Sequence, residues 1–338
     1  MICFLELFVI LILCSLRIDS NNNYLSKEKT TVIKGIFIIL VFLSHFNSYT
    51  TYVDKYDIAY LNVINYIGQA MVVPFLFYSG YGIMEQINKK GRIYIKKIPI
   101  KRILVTLIKF DIAVLLFYVI TILFNNQVSL SKLLLSFIGW ESLGNSNWYI
   151  FTILMLYLFT YISFVLIKNK RIALIVNTII VCLYVLILYY FNIKPLYWYD
   201  TALCYILGMY YSVFKDKIYG YINFSNIRYV ISLIFLILLC FVFKEYSSYT
   251  SINILFNMLF GILIVMFTMR ISIRSKILSW CGSHLFEIYI LQRIPMIVFL
   301  QLGLFSNIYL CFMGCVIVTI VIVLVYKKVV DKIILKLV

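Results

Sequence analysis

A lysine and a histidine eleven residues apart are the first pair in this 338-residue chain with evident reactive potential. They close the two ends of the apolar stretch Lys34-Gly-Ile-Phe-Ile-Ile-Leu-Val-Phe-Leu-Ser44-His45. At about 100° per residue, eleven residues turn within about 20° of three full helical turns. Both side chains therefore fall on one face, about 16 Å apart along the axis. Histidine is the side chain best poised to exchange a proton near neutral pH, and a cation farther along its stripe suits an anionic ligand. The same pair also reads as an interfacial lysine that snorkels and a packing histidine held by a hydrogen bond. Ionisable groups inside an apolar span are costly, so each needs a partner or a cavity.

The helices that carry this pair follow from composition. Hydrophobic residues make up 64% of the chain and charged residues 13%, with 13 Gly and 4 Pro; mean hydropathy is +1.01. These values exclude a soluble domain, a nucleic-acid module and a disulfide-stapled secreted protein, and they define an all-α, polytopic transmembrane helical bundle. On the scale of about 20 apolar residues per span, spans are expected near 2–17, 31–49, 66–86, 103–124, 148–167, 172–191, 198–214, 229–243, 252–269, 283–301 and 304–326. The first, seventh and eighth are short. Residues 1–16 could be a signal-like segment, but no basic flank precedes them and Glu6 interrupts the run, so a short first helix is expected. The net charge of +17 is explained by topology. Of the 30 Lys and Arg, all but Lys55, Lys132, Lys194, Lys244 and Arg293 fall at alternate span ends on one side. That side is cytoplasmic, and the C-terminus lies there.

Other residues stand out inside or beside the spans. Ser79-Gly80-Tyr81-Gly82 in the third span permits close backbone approach or a helix break. Glu85 and Asp111 can each pair with a nearby cation. The cytoplasmic segment 88–102 concentrates Arg92, Lys96 and Lys97 and is the strongest topology anchor in the chain. In the tenth span, His284 and Glu287 can meet on one helix face, while Glu287 and Arg293 read either as an interhelical ion pair or as cavity walls. The outer segment 125–147, with Trp140, Glu141, Asn145, Asn147 and Trp148 close by, suits saccharide hydroxyls and equally suits an interfacial loop. Eight cysteines lie mostly in apolar stretches without CxxC spacing, so no metal site is expected.

Several segments resemble the integral-membrane acyltransferase-3 family when taken in order. Thr31-Val-Ile-Lys34-Gly35…Ser44-His45 is similar to its first signature, a basic residue, ten intervening residues and a catalytic histidine. Pro74-Phe-Leu-Phe-Tyr-Ser79-Gly80 resembles its Phe-x-Ser-Gly-Phe segment, and Asn147-Trp148-Tyr149-Ile-Phe its Leu-Trp-Phe-Leu segment. Ser283-His284-Leu-Phe-Glu287-Ile-Tyr289-Ile-Leu-Gln292 resembles its late Ser-x-x-Ile-Tyr-Leu-x-His segment. The Lys-Gly form is similar to the fucose 4-O-acetylase-like, polysaccharide O-acetyltransferase branch. Two departures matter. Lys34 replaces the commoner Arg, keeping the charge but losing the bidentate fork, and Gln292 stands where many members carry a second His.

The resemblance implies a multi-pass protein of the bacterial plasma membrane. Residues 27–338 would form the acyltransferase domain, with 1–26 as an additional N-terminal transmembrane helix. An acetyl group would pass from cytoplasmic acetyl-CoA to a hydroxyl of a cell-surface polysaccharide or its lipid-linked precursor, with acyl-CoA as co-substrate, no bound cofactor and no nucleic-acid partner. His45 would be catalytic, either as a general base or through an acyl-histidine. Lys34, Arg92, Lys96 and Lys97 would bind the donor, and Ser79, Gly80, Trp148, Glu287, Tyr289, Gln292 and Arg293 would line the cavity. A polysaccharide polymerase, flippase or transporter shares the same composition and is the competing class.

Overall fold

The computed structural model describes residues 1–18, 23–51 and 55–337, almost entirely as helices. Helix α1 (Ile2–Ser15) leads into a short strand β1 (Leu16–Ile18). Then follow α2 (Lys27–Asn47), α3 (Lys55–Ile67), α4 (Val73–Lys90), α5 (Arg92–Ile95), α6 (Val105–Leu123), α7 (Leu130–Phe137), α8 (Trp148–Leu166), α9 (Lys170–Tyr190), α10 (Leu203–Ile222), α11 (Asn226–Glu245) and α12 (Thr250–Thr268). Strand β2 (Ile271–Ile273) precedes α13 (Lys276–Ser283), α14 (Leu285–Leu291), α15 (Arg293–Gln301) and α16 (Ile308–Leu337). The helix starts carry their own signals: Ser26, Ser129, Asn169, Ser225 and Ser275 each accept a backbone N–H of the following first turn.

Each stretch expected to span coincides with a helix or a helix pair. Among the described residues, eight helical stretches are long and apolar enough to cross a membrane, including a continuous α3–α4 run from Lys55 to Lys90. A ninth is bent by 68° between α13 and α14. The bend falls at His284, whose Nδ1 bonds the carbonyl of Trp280 at 2.9 Å, and a side chain that engages the ladder in this way is a known cause of kinks. Helix α1, about 21 Å long, and α10 fall outside that set of eight. Strands β1 and β2 pair antiparallel, setting Arg17 opposite Ser272 on the basic side of the bundle. Helices α9 and α11 turn Leu183, Ile187, Ile234 and Leu238 outward, as lipid-facing helices do.

Two crossings bring backbones into direct contact. Helix α2 packs on α13 through Gly35 and Gly282: a Cβ on Gly35 would stand 1.8 Å from the Leu278 carbonyl oxygen, and one on Gly282 would stand 1.8 Å from that of Thr31. Helix α4 packs on α10 through Gly80 and Gly208, where the equivalent distances are 1.9 Å to Tyr205 O and 2.0 Å to Phe77 O. Only residues without side chains allow helices this close. The Ser79–Gly82 segment is accordingly a close-approach site with no helix break.

Gly35→Val and Gly80→Val are therefore expected to destabilise the detergent-solubilised protein by more than about 3 kcal/mol, the upper range for overpacking. Gly82, with no atom within 4 Å of its notional Cβ, is expected to tolerate Ala. Thermal unfolding of the three variants checks this; equal melting temperatures would contradict the crossings.

Candidate active site

One stripe of α2 faces two cavities. Lys27, Thr30 and Lys34 line an inner cavity of about 1030 Å³, at the end of the bundle that gathers the basic residues. Val41, Ser44 and His45 line an outer one of about 380 Å³. The same succession runs along the neighbours. Tyr78 and Ser79 of α4 face the inner cavity, while Met71 and Val72, just before that helix, face the outer one; in α8, Trp148 is outer and Tyr157 inner. Buried Ile38, Phe75 and Tyr149 occupy the levels between. The Tyr149 ring packs 5.2 Å from that of Tyr289, on the outer wall.

The inner cavity is basic. Lys27, Lys34, Lys89, Arg102 and Lys215 line it against Glu85 and Asp216. Glu85 is already committed: it accepts from Lys215 at 2.8 Å and from Ser212 at 2.8 Å, and Lys89 lies 3.9 Å away. Lys34 has no carboxylate partner among the described residues; its ammonium sits 5.9 Å from the centre of the Tyr78 ring. Arg102 donates to the Tyr94 hydroxyl at 3.1 Å. Tyr24, in the segment before α2, pairs its hydroxyl with that of Tyr211 at 2.7 Å, and burial pushes its pKa up to about 12, so it stays a neutral hydrogen-bonding group.

The outer cavity is built round His45. The Nδ1 atom of His45 lies 2.9 Å from Nε2 of Gln292 and 3.4 Å from Oγ of Ser146, so its protein hydrogen bonds gather on that one nitrogen. Gln292 is fully buried, and its Oε1 has no partner. Ser146 belongs to a tight turn in which Asn145 Oδ1 accepts the Leu143 N–H at 2.9 Å and the Ser142 hydroxyl donates to the Asn145 carbonyl at 2.7 Å. Gly144 in that turn has φ +103°, a region that favours glycine. Trp148 and Tyr197 form an edge-to-face pair 5.8 Å apart on the wall. Arg293 faces the same space, its guanidinium 5.8 Å from the centre of the Tyr49 ring.

Of the residues singled out from sequence, Lys34 and Ser79 face the inner cavity, and His45, Trp148, Tyr289 and Arg293 the outer one. Others are placed differently. Arg92, Lys96 and Lys97 are exposed and lie beyond the inner wall; Gly80 is sealed against α10. Glu287 meets neither His284 nor Arg293. Lys109 bonds it at 3.1 Å and reaches Asp331 at 3.3 Å, while the Tyr326 hydroxyl donates to the Lys109 carbonyl. Glu287 thus ties α14 to α6 and α16. His284 stacks on Trp280 at 4.4 Å. Among the described residues Asp111 has no cation partner, and its Oδ1 is unpartnered. Trp140 and Glu141 engage Lys194 and do not line the outer cavity. Lys215 and Ser146 were not singled out from sequence; each reaches its cavity from an element more than a hundred residues from the α2 stripe.

These features define a multi-pass helical membrane protein with a basic cavity and a histidine-bearing cavity on one helix. A family model described as an acyltransferase domain matches residues 30–327, and the chain belongs to that acyltransferase-3 family, which makes it a membrane acyltransferase. No curated protein and no solved structure matches it.

The Lys109–Glu287 pair predicts a specific coupling. Lys109→Met strands a buried carboxylate and is expected to cost about 3 kcal/mol, while adding Glu287→Met recovers most of that loss. Unfolding of the two single variants and the double variant in micelles measures it; additive losses would contradict a direct pair.

Proposed function

We propose that this acyltransferase is an O-acetyltransferase of the bacterial plasma membrane, taking acetyl from cytoplasmic acetyl-CoA and esterifying a hydroxyl of a cell-surface polysaccharide or its lipid-linked precursor. The observation that carries the reading is the single α2 stripe joining a basic inner cavity to the outer cavity of His45. Coenzyme A is a polyanion. Its phosphates would enter from the cytoplasmic side against Lys34, Lys27 and Arg102, with Glu85 kept from repelling them by its bond to Lys215. Arg92, Lys96 and Lys97 would raise the local concentration of donor without holding it. The acyl arm would part the Ile38, Phe75 and Tyr149 layer and bring the thioester to the outer cavity.

There, His45 Nε2 would take the proton of the acceptor hydroxyl as the oxygen attacks the thioester carbonyl. The tetrahedral intermediate would collapse with loss of the coenzyme A sulfur, which receives that proton back from His45. Acetyl oxygen ester and free thiol are the products. A base at Nε2 needs the proton on Nδ1, and the partnerless Oε1 of Gln292 supplies an acceptor for it when the carboxamide is turned over. Gln292 would thus do by hydrogen bonding what a titratable neighbour does in other members. Trp148 and Tyr197 would stack on the acceptor sugar.

His45→Ala is expected to remove acetyl transfer by a factor of at least about 10² while the protein still inserts. Lys34→Ala is expected to raise KM for acetyl-CoA about tenfold, equivalent to about 1.4 kcal/mol, with Lys34→Arg close to wild type. Mass spectrometry of envelope glycans and initial rates in membranes read both. Normal acetylation by well-expressed His45→Ala protein would overturn the mechanism. Unaltered glycan substitution but changed chain length or export in a deletion strain would favour a polymerase or flippase.

A further inference from the structure

The inner cavity sets its lysines and Arg102 against Glu85 and Asp216, but the outer cavity has one sign only. Among the described residues that line it, none is Asp or Glu, and Arg293 brings a full positive charge. Arg293 makes no salt bridge and no hydrogen bond among the described residues; its sole partner is the Tyr49 ring, and its Nε is buried without an acceptor. A second donor on the same wall is in the same condition. Asn145 uses Oδ1 to accept from Leu143, which fixes the orientation of the amide and leaves Nδ2 buried and unpartnered. Buried donors without acceptors are rare and call for an explanation, and an unpaired guanidinium within a membrane protein is costlier still.

We infer that the outer cavity takes an acidic saccharide, whose carboxylate or phosphate pairs with Arg293 and accepts from Asn145 while its ring lies on Trp148 and Tyr197. This rests on the O-acetyltransferase reading and specifies its acceptor. An anion supplies what both donors lack, and the planar guanidinium presents a fork matched to either group. Gln292, which holds His45, directly precedes Arg293 in the chain. An acceptor anchored by its acid would therefore be fixed in register with the base, and a neutral acceptor would leave Arg293 desolvated and unpaired.

The test isolates the acetylated envelope glycan from cells carrying the wild-type protein and determines whether its repeat carries a uronic carboxylate, a phosphate or neither. Transfer to that glycan is then measured for Arg293→Gln, Arg293→Lys and Asn145→Ala. The expected result is an acidic repeat unit, with acceptor KM raised tenfold or more by Arg293→Gln, less by Asn145→Ala, and only partly restored by Arg293→Lys, which keeps the charge but loses the fork. A neutral repeat unit, or an unchanged acceptor KM in Arg293→Gln, overturns the inference. So does a loss in Arg293→Gln that falls on kcat alone and equally on transfer to water, because that would place the guanidinium at the reacting oxyanion.

Should the wild-type protein acetylate no glycan, it is the O-acetyltransferase reading that fails. The anion site is then read directly by thermal-shift titration of purified protein with methyl glucuronide, glucose 1-phosphate and methyl glucoside. Stabilisation by an acidic probe alone, lost in Arg293→Gln, supports the site. Equal responses to the acidic and neutral sugars, or no response to any, overturn it.

Discussion

Backbone contact between helices at Gly35 with Gly282 and at Gly80 with Gly208 fixes the helices that carry Lys34, His45 and Ser79. In a bilayer the apolar faces of helices gain little by leaving lipid, so tight packing and satisfied polar groups must hold the helices together. The first crossing locks α2 against α13, and the second locks α4 against α10. On α2 and α4 the crossing glycine follows directly on a residue that faces the inner cavity: Lys34 before Gly35, and Ser79 before Gly80. Close approach on one face of each helix thus turns a polar neighbour towards the space left on another.

The division of that space into two cavities has an electrostatic logic. The inner one lies at the end of the bundle that gathers the lysines and arginines, and it keeps Lys34 free of carboxylates by pairing Glu85 with Lys215. The outer one is smaller, and its polar groups are mostly neutral amides and hydroxyls, with Arg293 as the exception. Ile38, Phe75 and Tyr149 between them keep the two environments distinct. The Glu287–Lys109–Asp331 chain does a different job: it satisfies charges between α6, α14 and α16 away from either cavity.

What could be read in the sequence was what depends on local periodicity. The shared face of Lys34 and His45, the eleven hydrophobic stretches and the basic side all follow from spacing along one segment. Pairings across the fold were not legible. Glu287 meets Lys109 from 178 residues away, and nothing near either residue announces it. Lys215 reaches the inner cavity because α10 lies on α4, a consequence of the Gly80–Gly208 crossing. The dense cluster of Arg92, Lys96 and Lys97 drew notice for its charge, yet these side chains are exposed, and it is Tyr94 between them and Arg102 after them that line the cavity. The bend at His284 also escaped the spacing: it falls after Gly282-Ser283, where the His284 side chain bonds the Trp280 carbonyl.

The central claim is that a donor held at Lys34 delivers its acyl end to His45 along one face of α2. A cryo-electron-microscopy structure with a thioether analogue of acetyl-CoA, which cannot transfer its acyl group, tests this most directly. Nucleotide phosphates are expected against Lys34 and Arg102, with the arm passing Ile38 and Tyr149 and the acyl end beside His45. Density for the analogue confined to the exposed Arg92, Lys96 and Lys97 surface, or an acyl end that stops in the inner cavity, would contradict it.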